Sequence, residues 1–382
     1  MMGYIARQGL ARGVRDQLFV RALVLQHGKV RVGIVVADLL LISNKWSARL
    51  RRRLARALKT SPEHVLVAAT HTHSGPQVDS APFQFSSSSE PLQNDALLRM
   101  IEDRMEQAIR AAMESLQPVD VTIGRAVIRG VASDRNRPKR STAQSFHLFR
   151  FEGRTTRAIF AIYGCHPTVL GASNVQYSGD LHGEIARRFE RHADVSLIAN
   201  GAAANISTRF TRENQTPSEL SRLAGLLMKQ ASRAHLRPLE APILSARTAM
   251  LRLSVRNLQI KKKITLRGSG RLGAVAEEAL IIRRQLQKSL RLARKQRVAV
   301  PITVLRLGTV LLAALPFEVY ASTGNFLWKK ARIMPLCYAN GYWGYVAARS
   351  AASGDYEVVS SPFSSPADKR IRRAVLSLAK LI

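Results

Sequence analysis

Residues 65–76 read Val65-Leu66-Val67-Ala68-Ala69-Thr70-His71-Thr72-His73-Ser74-Gly75-Pro76, an apolar run that ends in two histidines and a turn. A short apolar run between polar segments is typical of a buried β-strand. Polar residues that follow such a strand lie at its carboxyl end, which is the edge where open α/β sheets bind their ligands. The stretch therefore predicts an α/β fold with a functional site at His71 and His73.

The same alternation of apolar strands and amphipathic helices continues along the chain. Residues 18–25 and 30–36 predict a strand hairpin, and Ser43-Asn44 predicts the start of a basic helix. Further strands are predicted at 119–128, 146–151, 158–163, 195–199, 243–251 and 304–315, and further helices at 95–116, 179–189, 219–234 and, very basic, up to 295. We expect a layered, mixed β-sheet flanked by helices. No internal repeat or low-complexity linker divides residues 1–382, so we expect one domain.

The charge of the chain restricts its partners. Lys and Arg number 59 against 26 Asp and Glu, which gives a formal net charge of +33 at pH 7. Such a surface attracts nucleic acid, anionic lipid headgroups or acidic glycans. Nucleic acid is disfavoured because neither a helix-turn-helix signature nor an aromatic RNA-binding motif occurs. The two cysteines, Cys165 and Cys337, are too few for a disulfide framework or a cysteine-rich metal site.

The two ends of the chain bear on its relation to membranes. No apolar run is long enough to span a bilayer and the first residues lack the apolar core of a signal peptide, so we expect a cytoplasmic or peripherally bound protein. Residues 368–382 have the pattern of an amphipathic helix, with Ile371, Val375 and Leu378 opposite Lys and Arg. Such a helix lies on a membrane or, more often, packs on its own domain, and we expect packing.

The candidate chemistry lies where apolar runs end. The polar residues at these ends are Asp38, His71, His73, His166, Asn200 and Glu318. Two histidines and a carboxylate form a familiar zinc set that leaves a position open for water, whose pKa zinc lowers from ~15.7 to ~7. His73 is either a proton-transfer group or a ligand itself, and spacing does not separate these roles. The alternative is that the histidines are ordinary loop residues.

Four motifs, in this order, resemble those of one family. They are THTHSGP at 70–76, GCHPT at 164–168, LPFE at 315–318, and YANGYWGYV at 338–346 followed by GDYE at 354–357. Together they resemble the amino-terminal catalytic domain of neutral (non-lysosomal) ceramidases, zinc amidohydrolases that cleave the amide of N-acyl sphingoid bases. The similarity runs from about Gly3 to Val358, so it covers nearly the whole chain.

The resemblance implies a role for particular residues. One zinc per chain would be held by His71, His166, Glu318 and Tyr356. His73 would be a neighbouring proton-transfer group, Ser207 the active-site serine, and Arg137 an arginine that contacts substrate. The alternatives are purely structural roles: Ser207 caps a turn, Arg137 is a surface charge and Tyr356 is a core aromatic. The resemblance also implies that the first strand of the family and its extra carboxyl-terminal β-domain are absent from this chain.

The sequence thus predicts a zinc-dependent amidohydrolase that cleaves the amide bond of an N-acyl substrate, with a ceramide-like lipid as one candidate. The basic surface would hold an anionic substrate or an anionic membrane surface. The alternative is a non-catalytic anion- or membrane-binding protein on a decayed hydrolase scaffold, which the Thr208-Arg209 pair after Ser207 favours because the family usually has Pro-Asn there. The acyl group, the amine and the oligomeric state are left open.

Overall fold

The computed structural model describes residues 1–78, 95–137, 142–241, 243–256, 297–364 and 366–382. The strands are β1 Gly13–Val14, β2 Val20–His27, β3 Val30–Ala37, β4 Val65–Ala69, β5 Val119–Ile128, β6 Ser133–Asp134, β7 Gln144–Gly153, β8 Arg157–Tyr163, β9 Gln176–Tyr177, β10 Val195–Asn200, β11 Ile206–Ser207, β12 Arg237–Pro238, β13 Leu244–Ser254, β14 Arg297–Leu307, β15 Val310–Ala314, β16 Glu318–Val319, β17 Ile333–Leu336 and β18 Tyr345–Val346. The helices are α1 Asn44–Leu58, α2 Asp95–Glu114, α3 Asp180–Phe189, α4 Pro217–Ala231, α5 Ala321–Ala331, α6 Tyr356–Ser360 and α7 Ala367–Ala379, and a 3₁₀ helix covers Pro62–His64. The predicted very basic helix that ends at 295 lies outside the described residues.

Most of the strands form two layers, and three short pairs, β1-β9, β6-β11 and β16-β18, stand apart from them. One layer is a five-stranded sheet in the order β10-β8-β7-β5-β12. The other combines the sheets β2-β3-β4 and β13-β14-β15-β17, which an antiparallel bridge between Ala68 and Ala339 joins edge to edge. The pairs β3–β4, β8–β10 and β15–β17 are parallel and most of the other long pairs are antiparallel, so the predicted mixed sheet is confirmed.

The core lies between and outside these layers. Inner faces pack face to face through residues such as Leu66, Phe149, Phe160 and Leu312, while α3 and α4 cover the five-stranded sheet and α1, α2 and α7 cover the opposite layer. Strands buried on both faces read as continuous apolar runs, which is why β3 and β4 show no polar alternation. The order helix, sheet, sheet, helix confirms the predicted layered α/β fold. That residues 1–382 form one domain stays a prediction.

Local signals placed several elements correctly. Helix α1 begins after Ser43, whose hydroxyl accepts a hydrogen bond from the Trp46 amide at 3.3 Å, as an N-cap does. The carboxyl-terminal helix α7 buries Ile371, Val375 and Leu378 against the core, so the packing interpretation is confirmed. No helix within the described ranges combines the length and apolar character needed to cross a membrane.

The predicted single strand at 304–315 is wrong. The chain turns at Gly308 and Thr309 and returns as β15, antiparallel to β14. Gly308 has φ 57°, and a Cβ there would lie 2.7 Å from the Glu240 carbonyl oxygen. Only glycine fits this turn without strain. The apolar residues on both sides of the turn hid the hairpin, because both arms are buried strands.

Candidate active site

Strand ends bring three predicted ligands together. His71 lies two residues after the end of β4, His166 lies three residues after the end of β8, and Glu318 is the first residue of β16. Their candidate ligand atoms all lie within 4.8 Å of one another, and all three side chains are buried. Across the described ranges, this is the one group of three or more His, Cys, Asp and Glu side chains with that geometry.

Backbone carbonyls orient both imidazoles. Nδ1 of His71 lies 2.8 Å from the Leu40 carbonyl oxygen, and Nδ1 of His166 lies 2.9 Å from that of Ala203. A ring nitrogen that donates to a carbonyl leaves Nε2 as the neutral donor atom for a metal. These Nε2 atoms lie 3.8 Å and 3.0 Å, respectively, from Oε2 of Glu318. Two fixed imidazoles and one carboxylate are a donor set that fits zinc.

The charge states of the donors suit the same purpose. Burial lowers the pKa of His71 to about 3, against the opposing effect of the Glu318 carboxylate. Burial raises the pKa of Glu318, but His71, His166 and the hydrogen bond from Tyr342 outweigh it and bring the value to about 2. His71 and Glu318 are therefore deprotonated at neutral pH, as metal binding requires.

The backbone at His71 is held in an unusual conformation. Its φ is 67°, in the left-handed region that non-glycine residues rarely adopt. The His71 amide donates to the Leu39 carbonyl at 2.9 Å, and its ring stacks on Tyr338, itself at φ 52°, with ring centroids 4.0 Å apart. Such conformations cost roughly 1–3 kcal/mol and cluster at functional sites. Here the conformation turns the imidazole towards Glu318.

Asn200 connects the loops that carry the two histidines. Its Nδ2 lies 3.2 Å from the Thr70 carbonyl and 3.0 Å from the Cys165 carbonyl, and its Oδ1 accepts from the Cys165 amide. Asp38, the other strand-end polar residue, instead accepts from Arg21 and the Phe19 amide. Asn200 therefore has a positioning role in the site, whereas Asp38 anchors the start of β2.

Three tyrosines of the segment 338–346 surround the cluster. Tyr338 donates its hydroxyl hydrogen bond to Oε2 of Glu318 at 3.0 Å, and Tyr342 donates to Oε1. The Tyr345 hydroxyl lies 3.4 Å from Nε2 of His166. Glu318 is thus hydrogen-bonded on both oxygens, and Tyr345 brings a hydroxyl next to an imidazole donor.

Tyr356, the predicted fourth ligand, lies on the outer side of Tyr345. It is half-buried at the start of α6, and its ring meets that of Tyr345 edge to face with centroids 5.7 Å apart. The guanidinium carbon of Arg135 lies 5.2 Å from the centroid of the Tyr356 ring. Tyr345 lies in the motif YANGYWGYV, and its position makes it a second candidate for the ligand that the resemblance assigns to Tyr356.

His73 lies beside the ligand group. Its Nε2 is 3.3 Å from Nε2 of His71, but the set of atoms within 4.8 Å of one another does not include it. Burial, and next the neighbouring His71 and His166, lower the pKa of His73 well below its usual value. The side chain is therefore a neutral imidazole one ring away from the candidate ligands.

The structure separates Ser207 from Arg137. Ser207 is buried in β11, and its backbone forms a bridge with that of His166. Its Oγ accepts a hydrogen bond from the Arg209 amide at 3.3 Å. Arg137 is exposed, and its guanidinium reaches the Ser350 carbonyl at 3.4 Å. Ser207 thus borders the histidine cluster, whereas Arg137 lies on the surface.

A buried ion pair next to the Tyr345 hydroxyl was not predicted from the sequence. Nε of Arg135 donates to Oε1 of Glu357 at 2.6 Å, and Nη2 lies 3.3 Å from the Tyr345 hydroxyl. Glu357 is fully buried and also accepts from Asn136 and Tyr320. The sequence does carry a signal for this pair, since Glu357 stands beside apolar residues and a buried glutamate needs a cationic partner.

Comparisons with known proteins place the chain in a family. Residues 1–216 match the family model described as neutral/alkaline non-lysosomal ceramidase, N-terminal. A neutral ceramidase of Mycobacterium tuberculosis is 26% identical over 211 residues, which cover 50% of this chain and 33% of that protein. The match thus spans a third of the curated relative's length.

Solved structures share the fold. One, a ceramidase complexed with C2, and another, neutral ceramidase from Pseudomonas aeruginosa, each give a TM-score of 0.74 at 18% identity. They cover 99% of this chain and 72% and 71% of theirs. Since the family model spans more than half of the sequence, the chain belongs to the neutral/alkaline non-lysosomal ceramidase family.

Proposed function

We propose that this protein is a zinc-dependent amidohydrolase that cleaves the amide bond of an N-acyl substrate, with a ceramide-like lipid as the leading substrate class. The observation that carries the proposal is the buried convergence of His71, His166 and Glu318 with both histidine tautomers fixed. Family membership and the similarity to ceramidases support the amide bond and the lipid. A bound zinc would supply a Lewis acid that polarises the amide carbonyl and activates water.

The fourth protein ligand is a tyrosine oxygen. The resemblance points to Tyr356, whereas the 3.4 Å contact between the Tyr345 hydroxyl and Nε2 of His166 favours Tyr345. We place Tyr345 first, because its hydroxyl already neighbours a ligand atom and Arg135 holds it from behind. Tyr356 then supports Tyr345 through the contact of their rings.

The remaining residues act on the substrate. His73 transfers a proton between the attacking water and the amide nitrogen, a function that its position beside His71 allows. Ser207 donates a hydrogen bond to the substrate carbonyl from its place next to His166. Arg137 contacts the substrate at the surface end of the site.

Metal content measured together with hydrolysis tests the proposal. We expect one tightly held zinc per chain, and loss of turnover on a panel of N-acyl amides when a chelator removes the ion, with recovery on adding zinc back. A His192→Ala variant, which alters an exposed histidine, is the matched control and should keep both properties. A pure chain without metal and without turnover would contradict the proposal and leave the non-catalytic anion-binding alternative.

A further inference from the structure

The amino-terminal segment, residues 2–7, forms a wall of the site beside His73. The Met2 amide donates to the Gly75 carbonyl at 3.0 Å. Gly3 has φ 123°, and a Cβ there would lie 2.7 Å from Cγ of His73. The Tyr4 ring meets the His73 ring edge to face with centroids 4.9 Å apart. The segment is therefore in direct contact with the candidate proton-transfer residue.

Arg7 is held on this wall by one edge of its guanidinium. Its Nε donates to the Asn174 carbonyl at 2.9 Å, and its Cζ lies 5.0 Å from the centroid of the Tyr4 ring. Tyr4 is fixed in turn, because its hydroxyl donates to the Leu170 carbonyl at 2.8 Å. One aromatic ring thus touches both the Arg7 guanidinium and the His73 imidazole.

The other edge of the guanidinium, formed by Nη1 and Nη2, has no hydrogen-bond acceptor among the described residues. Nη1 and Nη2 of Arg7 are both shielded from solvent and have no hydrogen-bond partner in the described part of the chain. A guanidinium carries five N–H donors, and burying donors without an acceptor costs free energy. Burial lowers the pKa of Arg7, the direction expected for a cation with no carboxylate against it.

Among the described residues, no carboxylate pairs with Nη1 or Nη2 of Arg7. Asp180, whose charge acts on Arg7, uses its oxygens to accept the backbone amides of Val169, Leu170 and Leu181. Arg135, by contrast, is paired with Glu357 at 2.6 Å. We therefore consider a bound ligand as the source of the acceptor for Arg7.

We propose that Arg7 binds an oxyanion of the substrate, so that the preferred N-acyl compound carries a carboxylate or phosphate on the part next to His73. The inference rests on the proposed amidohydrolase function and changes its leading substrate class, because a ceramide-like lipid is neutral whereas this substrate is an acidic N-acyl amide. A guanidinium suits this role because its planar fork pairs with both oxygens of a carboxylate or phosphate. Tyr4 and Asn174 hold the fork in place before the ligand arrives.

Kinetics with three soluble substrates that share one acyl chain test the proposal. The amine part is neutral ethanolamine, glycine with its carboxylate, or phosphoethanolamine with its phosphate. Since charge-assisted hydrogen bonds are strong, Arg7→Gln should lower kcat/KM for the preferred acidic substrate about 10- to 100-fold and change the value for the neutral one less than about twofold. Arg7→Lys should give an intermediate value, and Arg12→Gln, which alters an exposed arginine beyond the segment, should match wild type.

The ratio between the glycine and phosphoethanolamine substrates identifies which oxyanion is bound. A wild-type enzyme that prefers the neutral substrate, or an Arg7→Gln variant that loses activity equally on all three, would overturn the proposal. Unfolding temperatures of the variants show whether such a uniform loss comes from misfolding. If Arg7→Gln is misfolded, Arg7→Lys, which keeps the charge, is tested instead. A larger loss on the acidic substrate than on the neutral one then supports the proposal, and an equal loss overturns it.

A binding measurement separates this inference from the proposed hydrolysis. The probe is a ketomethylene analogue of the acyl-glycine substrate, in which CH₂ replaces the amide nitrogen, so that it cannot be cleaved. Calorimetry on the metal-loaded protein should show binding that Arg7→Gln weakens by the same factor as kcat/KM. If no N-acyl amide is hydrolysed, the proposed function fails, yet loss of this binding in Arg7→Gln still supports the oxyanion site. Equal binding to wild type and Arg7→Gln refutes it.

Discussion

The ligand cluster and the wall beside His73 differ in how their polar atoms are satisfied. In the cluster, Nδ1 of both His71 and His166 meets a backbone carbonyl, and Glu318 accepts two tyrosine hydroxyls. At the wall formed by residues 2–7, Nη1 and Nη2 of Arg7 are buried without a hydrogen-bond partner in the described part of the chain, and so is Nδ1 of the adjoining His73. Donors fixed from behind suit a resident ion, whereas buried donors without an acceptor suit a ligand that arrives and leaves.

The largest expected effect is the loss of zinc and of activity when a candidate ligand is removed. We expect His71→Ala and His166→Ala to abolish both zinc binding and hydrolysis, because each leaves only one imidazole beside Glu318. Elemental analysis of the purified variants and turnover of an N-acyl amide measure the two losses, with His192→Ala as the exposed-histidine control. Zinc retained at one per chain in either variant would show that the cluster is not the metal site.

His73→Ala should separate the two regions. We expect the variant to keep zinc, because the ligand group does not include His73, and to turn over about 10²- to 10⁴-fold more slowly, the usual effect of losing a general acid or base. The same two measurements check this result. Loss of zinc from His73→Ala would show that His73 is itself a ligand and belongs to the cluster.

Strand ends were predictable from the sequence, and contacts between loops were not. His71, His166 and Glu318 were found because each follows an apolar run, and the carboxyl ends of such strands meet at one edge. The partner of Arg135 depends instead on α6 approaching β6, which no local pattern encodes. The same holds for Arg7, whose surroundings come from residues 170–174 and the turn after β4.

The tyrosine ligand lay between these two cases. Tyr338, Tyr342, Tyr345 and Tyr356 all stand in one segment without a long regular element, so neither strand nor helix periodicity distinguishes them. The resemblance implied Tyr356, a choice that no local pattern in the segment tests. Only the three-dimensional contacts show that Tyr338 and Tyr342 bind Glu318 while Tyr345 faces His166.

A pair of tyrosine variants should sharpen the limits of the cluster. We expect Tyr345→Phe to weaken zinc binding and to reduce activity, and Tyr356→Phe to reduce activity by about 10- to 100-fold or less with zinc retained, as for residues that support a ligand. Zinc dissociation constants from competition with a chromophoric chelator compare the two variants directly. The reverse order would restore Tyr356 as the ligand and make Tyr345 its support.

The smallest expected effect concerns the surface rather than the site. The net charge of +33 should draw the protein to anionic vesicles, and added salt should weaken this attraction because exposed charges are screened beyond about 10 Å at ~0.1 M ionic strength. The buried cluster and wall are shielded from bulk ions, so hydrolysis of a small neutral N-acyl amide should change little over the same range. Turnover of vesicle-presented and soluble substrates, measured from low to high salt, compares the two effects. Equal salt dependence for both substrates would mean that the charge acts on the fold or on catalysis, and the basic surface could no longer be assigned to membrane attraction.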